Sequence, residues 1–257
     1  MAAFTIARAA IPYCGAPPTP DSLIHRWNLD PFLIIALLLA LTAYWIVARD
    51  RQGWSRSAFL GGWALGAAAL ISPLCPLSVA LFSARIGQHM LLAGVVAPLI
   101  AFGWPSAQRL DARHRPLSAA AAFALALWFW HAPGPYAATF ASDAVYWAMH
   151  LSLFGSAVWL WLALVRGSDA DLGTRAAAVA ITSGQMGLLG ALLTFAPRPL
   201  YAPHLLTTWA FGLTPLQDQQ LGGVAMWIPS GVLFAAGLAW AFSQALSRAQ
   251  AHNLGRA

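Results

Sequence analysis

The sequence predicts an all-α integral membrane protein with seven transmembrane helices, its N-terminus outside and its C-terminus in the cytoplasm. Three observations predict it. Of the 257 residues, 60% are hydrophobic and only 9% are charged, with a mean hydropathy of +0.65; soluble domains carry about 25% charged residues. Seven stretches contain no charged residue at all: Pro31–Ala48, Ser57–Ala84, Ile86–Gln108, Pro116–Ser142, Ala144–Val165, Ala176–Pro197 and Gln219–Ser247. Each can supply the roughly 17–25 apolar residues that a spanning helix needs. Finally, the arginines concentrate in alternate loops.

Each span has its own boundary signals. The first follows a segment holding Pro12, Pro17, Pro18 and Pro20, which lacks a continuous apolar core. No cleavable signal peptide is expected there, and the first helix itself can direct insertion. The second should end at the turn SPLCPL (Ser72–Leu77), because Pro73 and Pro76 cannot continue a helix. The third is separated from it only by Arg85, so His89 should lie in its first turn. His131 closes the fourth. The fifth follows Asp143 and carries His150 seven residues further on, so the two share a face. The sixth carries Ser183, Gly187 and Ala191 at small-residue spacing, like Gly62 and Gly66 in the second; such positions let helices approach closely. Gln185 in the sixth suits an interhelical hydrogen bond. The seventh opens with LQDQQLGG, and Gly222 and Gly223 should bring it close to a neighbour. Residues 1–30 form an outer N-terminal segment, 31–247 the membrane domain and 248–257 a cytoplasmic tail.

All 14 basic residues are arginine and all 8 acidic ones are aspartate. The net charge of +6 does not indicate nucleic acid, because these arginines sit in loops and report topology. The loops after the first, third and fifth helices and the tail hold ten: Arg49, Arg51, Arg56, Arg109, Arg113, Arg115, Arg166, Arg175, Arg248 and Arg256. The opposite side holds four, Arg8, Arg26, Arg85 and Arg198. The positive-inside rule sets the orientation accordingly. Cys14 and Cys75 both fall outside, where a disulfide and two separate thiols are equally compatible with the sequence.

The outer segments differ from the short basic inner loops. They read SPLCPL, SARIGQHMLL, WFWHAPGPYAATFASD and APRPLYAPHLLTTWAFGLTPLQDQQLGG. Pro, Gly, aromatics, His and Gln accumulate there, and irregular backbone at membrane depth belongs where it lines a protein cavity. This end is the functional end. A single histidine near a membrane surface is more often an interfacial polar residue than a ligand. His89, His131 and His150 enter similar depths from three different helices, and ionisable groups within spans face the bundle interior and mark function. They are candidate ligands for a metal or cofactor. His204 reads as packing, and His25, His114 and His252 as incidental. Cys75 is a soft candidate ligand, since thiols suit copper(I) and imidazoles suit copper and zinc. Met90, Met149 and Met226 lie near the same level, where methionine is usually packing. Trp130, Tyr136, Trp147, Tyr201, Trp209 and Trp227 suit an outer aromatic belt. Asp218 suits a cap for the seventh helix, by accepting from orphan N–H groups and complementing the helix dipole. No phosphate-binding glycine loop and no nucleophile triad is present, so an enzyme is not expected.

Taken together, SPLCPL, FSARIGQHMLL, APLI, GWP, WFWHAP, the histidine of the fifth helix, PLYAP and DQQLGGVAMW resemble the polytopic CtaG-type cytochrome c oxidase assembly factors, from about Trp54 to Trp240. The resemblance implies a multi-pass bacterial plasma-membrane protein that supports maturation of a haem-copper oxidase through copper. It implies oxidase subunits and periplasmic copper chaperones as partners. His89, His131, His150 and Asp218 occupy matching positions, whereas Arg85 stands where a histidine is common. On this reading the three histidines hold copper near the outer leaflet, and Cys75 is a soft fourth ligand. Asp218 orients an imidazole or attracts the cation, as carboxylates do around metal-bound histidines. Tyr136, Gln219 and Gln220 complete the hydrogen bonds, with Met226 nearby. Two alternatives stay open. Histidines from separate helices can ligate haem, and a cofactor-free scaffold would use the same histidines as packing.

Overall fold

The computed structural model describes residues 11–48, 53–104, 116–166, 172–228 and 231–232. Among these the chain is helical, with no strand. The principal helices are α1 (Pro31–Val47), α2 (Trp54–Ile71), α3 (Leu74–Ala80), α4 (Phe82–Gly103), α5 (Pro116–His131), α6 (Pro133–Ala138), α7 (Asp143–Arg166), α8 (Leu172–Phe195) and α9 (215–228). Three segments, Phe82–Gly103, Asp143–Val165 and Gly173–Phe195, are long and apolar enough to cross a membrane; counting the bent pair α2 and α3 as one span gives four. Two further apolar helices, α1 and α5, are shorter, at 17 and 16 residues. Most of the inner-loop arginines, the tail with His252, His114, Arg8 and the seventh span beyond 228 lie outside the described residues, apart from 231–232.

The expected turn at SPLCPL is real but short. Helix α2 ends at Ile71, and its axis and that of α3 differ by 49°. Pro73 and Pro76 do not forbid α3, because Pro73 is its N-cap and Pro76 lies in its first turn, where no backbone donor is needed. Leu81 is extended (φ −122°, ψ 129°) and separates α3 from α4. Helix α4 therefore begins at Phe82 and not after Arg85. Two corrections follow. His89 lies two turns inside the helix instead of in its first turn. Arg85 is a buried helical residue, 2% exposed, and not an outer-loop charge that reports topology.

Helix α4 contains a π-helical turn at Leu92–Val96. The N–H of Ala97 bonds to Leu92 O, five residues back, and this leaves the Ala93 carbonyl without its usual helical partner. Trp161 of α7 fills the vacancy, its Nε1 donating to Ala93 O at 2.9 Å. Such one-turn bulges recur at functional sites, and this one directly follows His89.

Glycines set the helix crossings. A Cβ on Gly62 would lie 2.9 Å from the Leu99 Cβ, and one on Gly66 3.2 Å from Val96, so the small face of α2 packs on α4 as expected. A Cβ on Gly222 would lie 2.6 Å from the Phe82 ring, and one on Gly223 2.6 Å from Gly190 O. The paired glycines thus wedge α9 between α4 and α8. The start of α9 carries its own cap: Thr214 and Gln217 exchange side-chain and backbone hydrogen bonds of 2.9 and 3.2 Å. This is a capping box with Pro215 at the first helical position, legible in TPLQ.

Candidate functional site

Three helices bring the three histidines to one level. His89 and His150 each lie seven residues into their helices, α4 and α7, about 10 Å below the helix start at 1.5 Å per residue. His131 ends α5, which stops short of the other two. Helix α6 and the 3-10 turn Ala202–His204 pack against each other, and that turn also packs on α3. Tyr201, just before that turn, donates to His131 O at 2.8 Å and ties it to the cluster.

The histidine rings stand edge to face. His89 and His131 have centroids 6.0 Å apart, and His89 and His150 5.5 Å. All three are buried. They line a cavity of about 20 Å³, room for one water molecule or ion. Met90 and apolar residues such as Phe123, Leu127 and Phe154 complete its wall. The nitrogens are held unequally. His131 Nδ1 donates to Leu127 O at 2.7 Å, and His150 Nδ1 to Tyr146 O at 3.2 Å. A carbonyl only accepts, so each proton sits on Nδ1 and each Nε2 carries a lone pair. Both Nε2 atoms, and both nitrogens of His89, are buried without a partner.

That donor set fits a small metal ion. A metal-binding histidine commonly donates its other N–H to a carbonyl or carboxylate, which fixes the ring and its tautomer. With metal–nitrogen bonds of about 2.0–2.1 Å, the centres of two imidazoles on one ion lie about 5–6 Å apart, as His89 does from each of the other two. The rings meet at 77–80°, and among the described residues no three His, Cys, Asp or Glu side chains form a ready-made metal group. Of the three rings, His89 is the one that no hydrogen bond restrains.

The remaining sequence candidates fall elsewhere. Cys75 is not a ligand in this form: it is bonded to Cys14, with Cα atoms 5.5 Å apart, and a disulfide sulfur offers no thiolate. The bridge still reaches the site, because Tyr146 lies between them. Its hydroxyl is 3.4 Å from Cys14 Sγ, and its ring centre is 4.2 Å from that of His150. Sequence reasoning missed Tyr146, although it sits one turn before His150. Asp218 does not approach an imidazole and does not cap its own helix. It accepts from the backbone N–H of Phe82 at 2.6 Å and of Ser83 at 3.1 Å, and from the Ser83 hydroxyl. From α9 it satisfies the first backbone donors of α4, whose own N-cap residue, Leu81, offers no side-chain cap. Gln219 ties down the loop after α8, accepting from Leu200 N at 2.6 Å and donating to Leu193 O at 3.3 Å. Gln220 is half-buried on the same helix. Met226 is fully buried but does not line the cavity.

Tyr136 belongs to a neighbouring knot above the histidines. His204 Nδ1 donates to Ala80 O at 3.3 Å, so its Nε2 accepts from the Tyr136 hydroxyl at 2.6 Å. Burial, reinforced by the charge of Arg85, pushes His204 down to about 3 and keeps it neutral. Both its nitrogens are satisfied, in keeping with a packing role. Arg85 joins the knot to the cluster. One terminal nitrogen donates to Thr139 Oγ1 at 2.7 Å and contacts Met149 Sδ at 3.6 Å. Its guanidinium carbon lies 4.5–5.8 Å from the ring centres of Phe140, Tyr136 and Tyr146. Arg85 is four residues before His89, on the same face of α4.

No curated protein and no solved structure matches this chain. A family model described as cytochrome c oxidase caa3 assembly factor matches residues 38–248. That span takes in α2 through α9 and every histidine of the cluster, and with most of its length matched the chain belongs to the caa3-type cytochrome c oxidase assembly factor family.

Proposed function

We propose that this assembly factor handles copper for the oxidase, and that His89, His131 and His150 hold the ion on its way. The observation that carries the reading is one ion-sized cavity walled by three imidazoles from three helices, with four buried nitrogens unpartnered. An unsatisfied buried polar atom costs about 1–3 kcal/mol. A cofactor-free scaffold would gain nothing in return for that cost, whereas a ligand site recovers it when loaded. The size of the cavity argues against haem, since organic ligands occupy pockets of about 300 Å³ or more. Neutral imidazoles and the thioether of Met90 suit copper(I). An unrestrained His89 suits a transfer site, where the ion must leave as readily as it arrives.

The protein spans a bacterial plasma membrane seven times, with α1 and α5 as thinner spans and α9 as the start of the seventh. The histidine cluster lies toward the outer face, the N-terminus outside and the C-terminus inside. Its partners are oxidase subunits, with periplasmic copper chaperones as donors. The test is copper content by mass spectrometry of the purified protein and of a His89→Ala/His131→Ala variant. About one copper per chain in the first and none in the second is expected. Equal, negligible copper in both removes the site, and normal oxidase activity in a deletion strain at low copper removes the role.

A further inference from the structure

We propose that Arg85 is a charge filter: it makes the histidine site select a monovalent soft cation against divalent ones. The inference rests on the copper reading above and adds what decides between ions. Arg85 is 2% exposed, and its guanidinium is a delocalised cation. Its contacts are a hydroxyl, a thioether and three aromatic rings. Ring faces stabilise a cation without cancelling its charge. Among the described residues no carboxylate pairs with it; Asp218, on the same end of the bundle, is held by the backbone of Phe82 and Ser83. Among the described residues the cavity is lined by no acidic side chain, but by His89, His131, His150, Met90 and hydrocarbon.

An entering ion therefore meets neutral ligands with a fixed positive charge one helical turn away from His89. A monovalent ion is repelled once and a divalent ion twice. For unit charges about 8 Å apart at an effective dielectric of about 20, the difference is about thirtyfold in affinity per added charge. Replacing Arg85 by a neutral side chain should relieve both ions, and zinc(II) about thirtyfold more than copper(I).

The experiment uses the purified full chain in detergent. Copper(I) affinity is measured anaerobically against a chromogenic copper(I) chelator, and zinc(II) affinity against a zinc dye. The unmodified protein, Arg85→Gln and Arg85→Lys are compared. The expected result is a copper-to-zinc affinity ratio that falls about thirtyfold in Arg85→Gln and is kept in Arg85→Lys. An unchanged ratio in Arg85→Gln overturns the filter and leaves the copper reading intact. Should Arg85→Gln fail to fold, zinc(II) binding as tight as copper(I) binding in the unmodified protein overturns it equally. Absence of copper(I) binding in the unmodified protein overturns the copper reading itself, and the filter with it.

Discussion

Two polar clusters neighbour each other at one end of this bundle, and they are built on opposite principles. In the upper one the tyrosine, histidine and carboxylate all have partners. Tyr136 donates to His204, His204 donates to Ala80 O, Thr207 donates to the same carbonyl at 2.6 Å, and Asp218 caps α4. In the lower one, His89, His131 and His150 leave four nitrogens bare in an apolar cavity. Burial alone does not distinguish them, because both contain fully buried histidines. Saturation does. A completed network fixes the fold, and an incomplete one keeps lone pairs for something that arrives later.

Substitutions should break this contrast in a graded way. Asp218→Ala is expected to be the most disruptive to stability. It removes charge-assisted bonds to two backbone donors, one buried and one half-buried, and loss of about 3 kcal/mol or more should show as a large drop in unfolding temperature. Asp218→Asn should be milder and should keep its copper. Retained copper would identify Asp218 as a cap alone, while loss of copper without loss of stability would restore it to the metal site. Opening the disulfide with Cys14→Ser comes next. The bridged residues are 61 apart in sequence, and a native disulfide contributes about 2–4 kcal/mol. Copper content should not change, in contrast to what a Cys75 ligand requires.

Tyr136→Phe removes one hydroxyl from the saturated knot and leaves His204 Nε2 without its donor. A loss of about 1–2 kcal/mol is expected in thermal unfolding, again with copper retained. His131→Leu should change stability least, within about 1 kcal/mol, because the side chain keeps its volume and an unpartnered nitrogen disappears. Its copper content should fall to background. A variant that is stable and copper-free separates the lower cluster from the upper one most sharply.

Much of this was legible in the sequence for identifiable reasons. The apolar runs around α4, α7 and α8 are long, and hydrophobic length is a one-dimensional property. That His89, His131 and His150 share one end could be read from the loops around them, but the depth of His89 could not, because Leu81 and not Arg85 marks the start of α4. The TPLQ cap and the small face of α2 are likewise local patterns. Asp218 shows where such reading stops. It lies next to the start of its own helix, so a local cap is the natural inference, yet its acceptors face α4, more than 130 residues earlier in the chain.

The sequence by itself determined that the chain is helical with segments apolar enough to cross a membrane, and that His89, His131 and His150 gather at one end of it. Hydropathy and helical periodicity act between near neighbours and leave their mark in order along the chain. Only the tertiary structure decided which polar groups are satisfied. It joined Cys75 to Cys14, drew Tyr136 and His204 together, placed Arg85 among aromatic rings, and left the cluster's nitrogens bare. Hydrogen bonds and charge compensation are settled between side chains that meet across helices, and no spacing along one strand of sequence specifies which of them meet.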